Sequence, residues 1–303
     1  MSDERIVWLN GEFINESAAK VPILTHSMQY GSGIFEGIRA YETKDGPAIF
    51  RLQEHVDRFM NTAKIYRMNL GFTADQIRDA IIETVKRNKL KSGYIRPFAF
   101  YDDSRIGVGV TGKKVSTFIA AVPFAKYFSE ADKGLKCKVS SWKRINSSIL
   151  PVQAKASGNY INSVIAMLEA HQAGFDEAIL LNGDGFVAEG PGENIFLVKN
   201  GEIITPGKDS AILLGITRES IITVAEELGY EVKERFVHRE ELYTADEAFF
   251  VGTAAEVTPI VDVDGIVLGD GKTGKITANI REKYFSVVSG KNESHKNWLT
   301  YVG

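Results

Sequence analysis

Absences narrow the chemistry of this 303-residue chain before any motif is read. A single cysteine, Cys137, excludes an internal disulfide framework and suits a reducing compartment, so the expected location is cytoplasmic. No stretch approaches the roughly 20 consecutive apolar residues of a membrane-spanning helix. The opening Met1-Ser2-Asp3-Glu4-Arg5 lacks the apolar centre of a secretion signal, so no membrane association is expected. An excess of either charge is missing too: the net charge is −3 with no basic run, which argues against a nucleic-acid partner. The histidines, at 26, 55, 171, 238 and 295, show no metal-ligand spacing, and no metal is expected. Repeats and low-complexity tracts are also lacking. What is present is an ordinary globular composition, 44% hydrophobic and 25% charged, long enough to fold as two domains.

The first third reads as a mixed helix-and-strand unit. Ile6-Val7-Trp8-Leu9 and Glu12-Phe13-Ile14 flank Asn10-Gly11, a pair that tolerates the positive φ of a tight hairpin turn. A second hairpin is expected from Gly37 to Phe50, turning at Lys44-Asp45-Gly46. Val56, Phe59, Met60 and Ala63 mark a helix over 51–66, and Ile77, Ala80, Ile81 and Val85 another over 74–88. Buried strands are expected over 94–101 and 115–122. Residues 123–134 read as an interdomain loop, separating an N-terminal domain (1–122) from a larger C-terminal one (135–303). In the latter, strands are expected over 135–141 and 248–251 and helices over 159–173, 217–228 and 276–288. The turns are short enough to favour antiparallel pairing.

The chemistry gathers in four segments. Lys155 sits among small neighbours in Gln153-Ala154-Lys155-Ala156-Ser157-Gly158-Asn159-Tyr160 and offers an imine-forming amine. Ala188-Glu189-Gly190-Pro191-Gly192-Glu193-Asn194 offers an acid for a ring nitrogen. By the motif alone, Glu189 and Glu193 are each as readily turn acids. Leu214-Gly215-Ile216-Thr217-Arg218 opens a helix and presents free N–H groups, a hydroxyl and the positive end of the dipole. Gly252-Thr253-Ala254-Ala255-Glu256-Val257-Thr258-Pro259 offers a second turn with a hydroxyl. An amine, an acid and two phosphate cradles are the inventory of a pyridoxal 5′-phosphate site.

In that order, and with Gln29-Tyr30-Gly31-Ser32-Gly33-Ile34-Phe35-Glu36-Gly37-Ile38-Arg39 and Tyr94-Ile95-Arg96-Pro97 upstream, these segments resemble the fold-type IV pyridoxal phosphate enzymes, and among them the branched-chain amino acid aminotransferases. The resemblance runs from about Trp8 to about Trp298. It implies an α+β fold with a small N-terminal α/β domain and a larger C-terminal domain built on mostly antiparallel sheet. It further implies transamination between L-leucine, isoleucine or valine and 2-oxoglutarate. Lys155 would form the imine and move the substrate proton. Glu189 would face the ring nitrogen, leaving Glu193 structural, and Tyr160 would face the phenolate oxygen. Arg58, Leu213, Ile216, Thr217 and Thr253 would complete the cofactor contacts. The substrate pocket would take Phe35, Tyr94, Arg96 and Tyr127 with the N–H groups of Thr253 and Ala254, while the partner subunit's Tyr30 and Val108 reach in. An obligate homodimer, alone or as the unit of a higher homo-oligomer, follows from that sharing. Phe124 and Ser27-Met28-Gln29 depart from relatives that carry tryptophan and an Ala-Leu-His run, which bears on substrate preference.

Two other activities fit the same fold, a D-amino acid aminotransferase and an aminodeoxychorismate lyase; the upstream segments favour the branched-chain reading. A non-catalytic phosphometabolite binder would keep the cradles without the imine, against which stand Lys155, Glu189 and Tyr160. Gly269-Asp270-Gly271-Lys272-Thr273-Gly274-Lys275 imitates a P-loop, but Ile276 stands where Ser or Thr would hold Mg²⁺, so it reads as a turn into a helix. Gly31-Ser32-Gly33 lacks the third glycine and the βαβ setting of a dinucleotide fingerprint.

Overall fold

The structure, a computed structural model, describes residues 4–124, 127–128 and 133–303. Within the loop expected over 123–134, residues 125–126 and 129–132 lie outside the described residues. The chain forms two compact units. Unit 1 holds Met1–Ala125, Ala154–Gly158 and Val287–Gly303; unit 2 holds Lys126–Gln153 and Asn159–Ser286. Unit 1 therefore owns two stretches that a contiguous division of the chain assigns elsewhere.

Unit 1 starts with β1 (Ile6–Leu9) and β2 (Glu12–Asn15), paired antiparallel with Leu9 opposite Glu12. Asn10 and Gly11 turn the chain at φ of 50° and 101°, where Asn and Gly are the residues least penalised. A short helix α1 (His26–Tyr30) and strand β3 (Gly33–Phe35) follow, neither apparent from periodicity. The second hairpin is β4 (Ile38–Thr43) with β5 (Gly46–Phe50). Helices α2 (Leu52–Ile65) and α3 (Ala74–Arg87) each lay an apolar stripe on one face of the sheet. Thr73 and Gln76 close the start of α3 in a reciprocal capping box. Strands β6 (Gly93–Tyr101) and β7 (Val115–Val122) complete the centre. The core lies where Leu52, Val56 and Phe59 of α2 and Ile77, Ile81 and Val85 of α3 meet Ile38, Ile49, Ile95 and Ile119.

Unit 2 is built from β8 (Leu135–Lys143), α4 (Tyr160–Gln172), β9 (Glu177–Leu181), β10 (Val187–Glu189), β11 (Asn194–Lys199), β12 (Glu202–Pro206), α5 (Ile216–Glu227), β13 (Val232–Arg235), α6 (Arg239–Thr244), β14 (Glu247–Gly252), β15 (Glu256–Val263), β16 (Ile266–Val267) and most of α7 (Lys275–Val288). Its sheet runs β10-β9-β8-β15-β14-β11-β12-β13, with β16 on β15. Pairing is antiparallel except at β8–β9, β8–β15 and β12–β13. Helix α4 joins β8 to β9 and α5 joins β12 to β13, and a helical crossover of that kind is what sets two strands parallel. The last strand, β17 (Leu299–Tyr301), belongs to unit 1 and pairs antiparallel with β5, Leu299 opposite Phe50. The sheet of unit 1 thus runs β17-β5-β4-β6-β7-β1-β2, with β3 on β6. Both units combine helices with largely antiparallel sheet, as an α+β fold requires. Among the described residues, no helix is long and apolar enough to cross a membrane.

Candidate active site

In unit 1, Lys155 stands on a strap, Ala154–Gly158, that lies along β3. Ala156 bridges Ile34, the Phe35 N–H donates to the Lys155 carbonyl at 2.9 Å, and the Lys155 N–H donates to Thr62 Oγ1 at 3.3 Å. The small residues around the lysine have a packing reason. A Cβ on Gly33 would lie 2.7 Å from Ser157 Oγ and 2.5 Å from the Phe98 ring, and one on Gly31 would lie 3.2 Å from Gly158 Cα. Only glycines let strap and strand approach this closely. The amine Nζ sits 5.2 Å from the centre of the Phe35 ring.

Below the strap, α2 aims His55, Arg58 and Thr62 to one side. Arg58 grips the buried Glu36 with Nε on Oε1 at 2.6 Å and Nη2 on Oε2 at 2.9 Å. His55 Nδ1 meets Glu36 Oε2 at 2.8 Å. Burial opposes the charge on Glu36, yet the Arg58 guanidinium and the His55 hydrogen bond hold its carboxyl well below the usual range. Burial also pushes His55 below its ordinary value; Glu36 opposes that shift, and the nearby Arg58 and Lys155 cations reinforce it. A proton is assigned to His55 Nδ1 because the Glu36 carboxylate can only accept there.

On β6, alternation places Tyr94 and Arg96 on the same face, as the sequence suggested. Arg96 Nη2 donates to the Tyr94 hydroxyl at 2.9 Å, and its guanidinium lies 4.5 Å from the Phe35 ring centre. Gly37 makes room for that hydroxyl, since a Cβ there would lie 2.0 Å from it. Phe124 packs against Tyr94 at 5.2 Å. Tyr30 accepts from the Gly107 N–H at 3.1 Å, beside the exposed Val108.

In unit 2, Glu189 ends β10 and is buried. Arg144 Nε donates to its Oε1 at 2.7 Å; Asn194 Nδ2 and the Leu213 N–H donate to Oε2 at 3.0 and 3.1 Å. Arg144 balances the carboxylate charge, and the three donors fix its orientation. Glu193 is also buried, and its Oε2 accepts from the Gly192 N–H at 3.0 Å. Ile216 and Thr217, both buried, open α5 behind Gly215, whose added Cβ would lie 2.1 Å from Asn194 Oδ1. Thr253 and Ala254 form the turn between β14 and β15. Tyr160 is the first residue of α4, and Tyr127 is exposed, packed edge-on to Phe128 at 4.7 Å.

The structure thus brings Phe35, Tyr94, Arg96 and Lys155 together in unit 1, and Glu189 and Leu213 together in unit 2. Sequence reasoning missed Glu36, His55, Thr62, Arg144 and Asn194. The spacing of His55, Arg58 and Thr62 on one helix face was a usable signal; Arg144, 45 positions from Glu189, offered none. The P-loop imitation leads into α7, where Glu247 accepts the N–H groups of Ile276 and Thr277 at 3.0 and 2.7 Å, in place of a phosphate. Among the described residues, no cluster of three or more His, Cys, Asp or Glu side chains could hold a metal.

A lysine on a glycine-lined strap, and elsewhere a buried carboxylate beside an open helix start, define a class, and comparison with known proteins agrees. Residues 33–263 match the family model described as amino-transferase class IV. The branched-chain-amino-acid aminotransferase of Pseudomonas aeruginosa is 46% identical over 98% of this chain and 97% of its own length. The crystal structure of the branched-chain aminotransferase from the archaeon Thermoproteus uzoniensis with norvaline superposes with a TM-score of 0.95 at 46% identity, covering 99% of this chain and 100% of that one. The T.th. branched-chain amino acid aminotransferase, complexed with N-(5′-phosphopyridoxyl)-L-glutamate, gives a TM-score of 0.95 at 43% identity with 100% of both chains covered. The chain belongs to the class IV aminotransferases, within their branched-chain amino acid aminotransferase family.

Proposed function

We propose that the chain transfers the amino group of L-leucine, L-isoleucine or L-valine reversibly to 2-oxoglutarate, giving the branched 2-oxo acid and L-glutamate in ping-pong fashion. The observation that carries this is the mounting of Lys155, fixed by backbone bonds to β3 and α2 with its amine beside Phe35. Family membership supports pyridoxal 5′-phosphate as cofactor, and the phosphopyridoxyl-glutamate held by the T.th. relative supports glutamate as one substrate. When bound, the cofactor supplies an aldehyde for the amino group and a protonated ring that draws off charge from the substrate α-carbon.

The residues fit that group. Lys155 would hold the aldehyde carbon and, once the substrate amino group had displaced it there, its freed amine would move the proton at the substrate α-carbon. Glu189, oriented by Arg144, Asn194 and Leu213, keeps a proton on the ring nitrogen. The first-turn N–H groups of Ile216 and Thr217 follow a cap residue that has no side chain, an end suited to a phosphate. Arg58 and Thr253 add charge and a hydroxyl to the same task, and Tyr160 faces the phenolate oxygen. Tyr94 and the N–H groups of Thr253 and Ala254 orient the α-carboxylate. Phe35 and Tyr127 line the side-chain pocket with the partner subunit's Val108, and Arg96 with the partner subunit's Tyr30 receives the distal carboxylate of glutamate. A homodimer in the cytoplasm belongs to the proposal.

The test is the absorption spectrum of the cofactor-loaded protein before and after L-leucine, with D-alanine in parallel. L-Leucine should diminish the band of the lysine-bound form and raise that of the amine form. A response to D-alanine alone would transfer the function to the D-amino acid branch; no response to either would remove transamination.

A further inference from the structure

We infer that Glu36 and His55 are positioning residues for the phosphate of the cofactor and act through Arg58. The inference rests on the cofactor reading above. Glu36 has no exposed surface, and its carboxylate uses both oxygens on Arg58, at 2.6 and 2.9 Å. A fork held by two parallel bonds cannot swing, whereas an arginine near a helix surface ordinarily samples many rotamers. His55 Nδ1 at 2.8 Å and the Gly37 N–H at 3.3 Å fix the carboxylate in turn. The chain of support runs from Gly37 and His55 through Glu36 to the guanidinium, all on elements that meet the strap carrying Lys155.

Charge completes the argument. Arg58 and Lys155 are both near His55, and burial together with those cations disfavours a charged imidazole. Glu36 is then the counter-charge for Arg58, so the side chain is aimed in advance and loses little ordering entropy when a phosphate arrives. A pre-aimed guanidinium favours phosphate geometry specifically, and an aldehyde without phosphate gains nothing from it.

The experiment uses apo protein of the wild type, Glu36→Gln, Arg58→Gln and the double variant, each titrated with pyridoxal 5′-phosphate and with pyridoxal. Binding is read from the absorbance of the bound aldehyde, and folding from cooperative melting. Glu36→Gln should raise the Kd for pyridoxal phosphate at least about tenfold, and shift that for pyridoxal less than about twofold. In the Arg58→Gln background it should add less than about twofold to either. Equal loss for both aldehydes, or a full additional loss without Arg58, would overturn the inference. If Glu36→Gln does not melt cooperatively, His55→Gln takes its place with the same selectivity expected. Wild-type protein that takes up neither aldehyde would overturn the proposed cofactor itself.

Discussion

Burial and charge at single side chains lead to separate measurements. Glu177 is fully buried at the start of β9, and burial first, then the charges of Glu193 and Asp176, push its carboxyl from 4.5 up to about 9. A group whose folded value is raised contributes stability that is complete below 4.5 and is lost as pH rises toward about 9. The melting temperature should therefore fall across that window, and Glu177→Gln should flatten the slope; an unchanged slope would reject this account. Lys155→Ala should abolish turnover, and near-native activity in that variant would contradict the proposed role. Arg96→Ala should harm the glutamate half-reaction far more than the leucine one, because only glutamate brings a distal carboxylate; equal losses in single-turnover rates would sink that assignment. Lys155, Glu189 and Arg96 were proposed for their roles from motifs read through the family resemblance. Arg144 was not, since a lone arginine after a strand acquires meaning only when β8 and β10 are arranged in one sheet around β9.

At the level of elements, local chemistry and long-range packing part company. The hairpin at Asn10-Gly11 and the strand Val115–Val122 were readable because turn chemistry and alternation are local. Helix α3 was readable too, with a capping box and a clean apolar stripe. Thr73→Ala should cost about 1 kcal/mol of stability, visible as a lowered melting temperature with the fold intact. Helix α1 and strands β3 and β17 escaped because segments this short carry too few periods to register. Gly215 links an element to the chemistry: a Cβ there would strike Asn194, which orients Glu189. Gly215→Ala should weaken retention of pyridoxal phosphate, measured by dialysis and residual cofactor absorbance, and undiminished retention would show that Asn194 can give way freely.

For the molecule as a whole, chain length suggested two domains and short turns suggested antiparallel sheet, while the α+β fold class came with the family resemblance. Length and turns could not indicate that residues 154–158 and 287–303 return to unit 1, because such membership depends on pairing across more than a hundred positions. The proposed homodimer is tested at this scale. Ile161, Val164 and Leu168 stand 63%, 50% and 53% exposed along α4, an apolar row that a lone chain has no reason to display. Sedimentation should show a dimer, and Val164→Glu should shift the equilibrium toward monomer; a monomeric wild type would remove the shared-pocket part of the proposal.

Strand β17 carries a consequence for synthesis. The sheet of unit 1 begins at residue 6 and gains its edge on β5 only with residues 299–301, while β3 waits for residue 156 to settle against it. A ribosome reads these in order, so the half that is made first is finished last. Until then β5 remains an unpaired edge in the nascent chain, open to a chaperone or to the wrong strand.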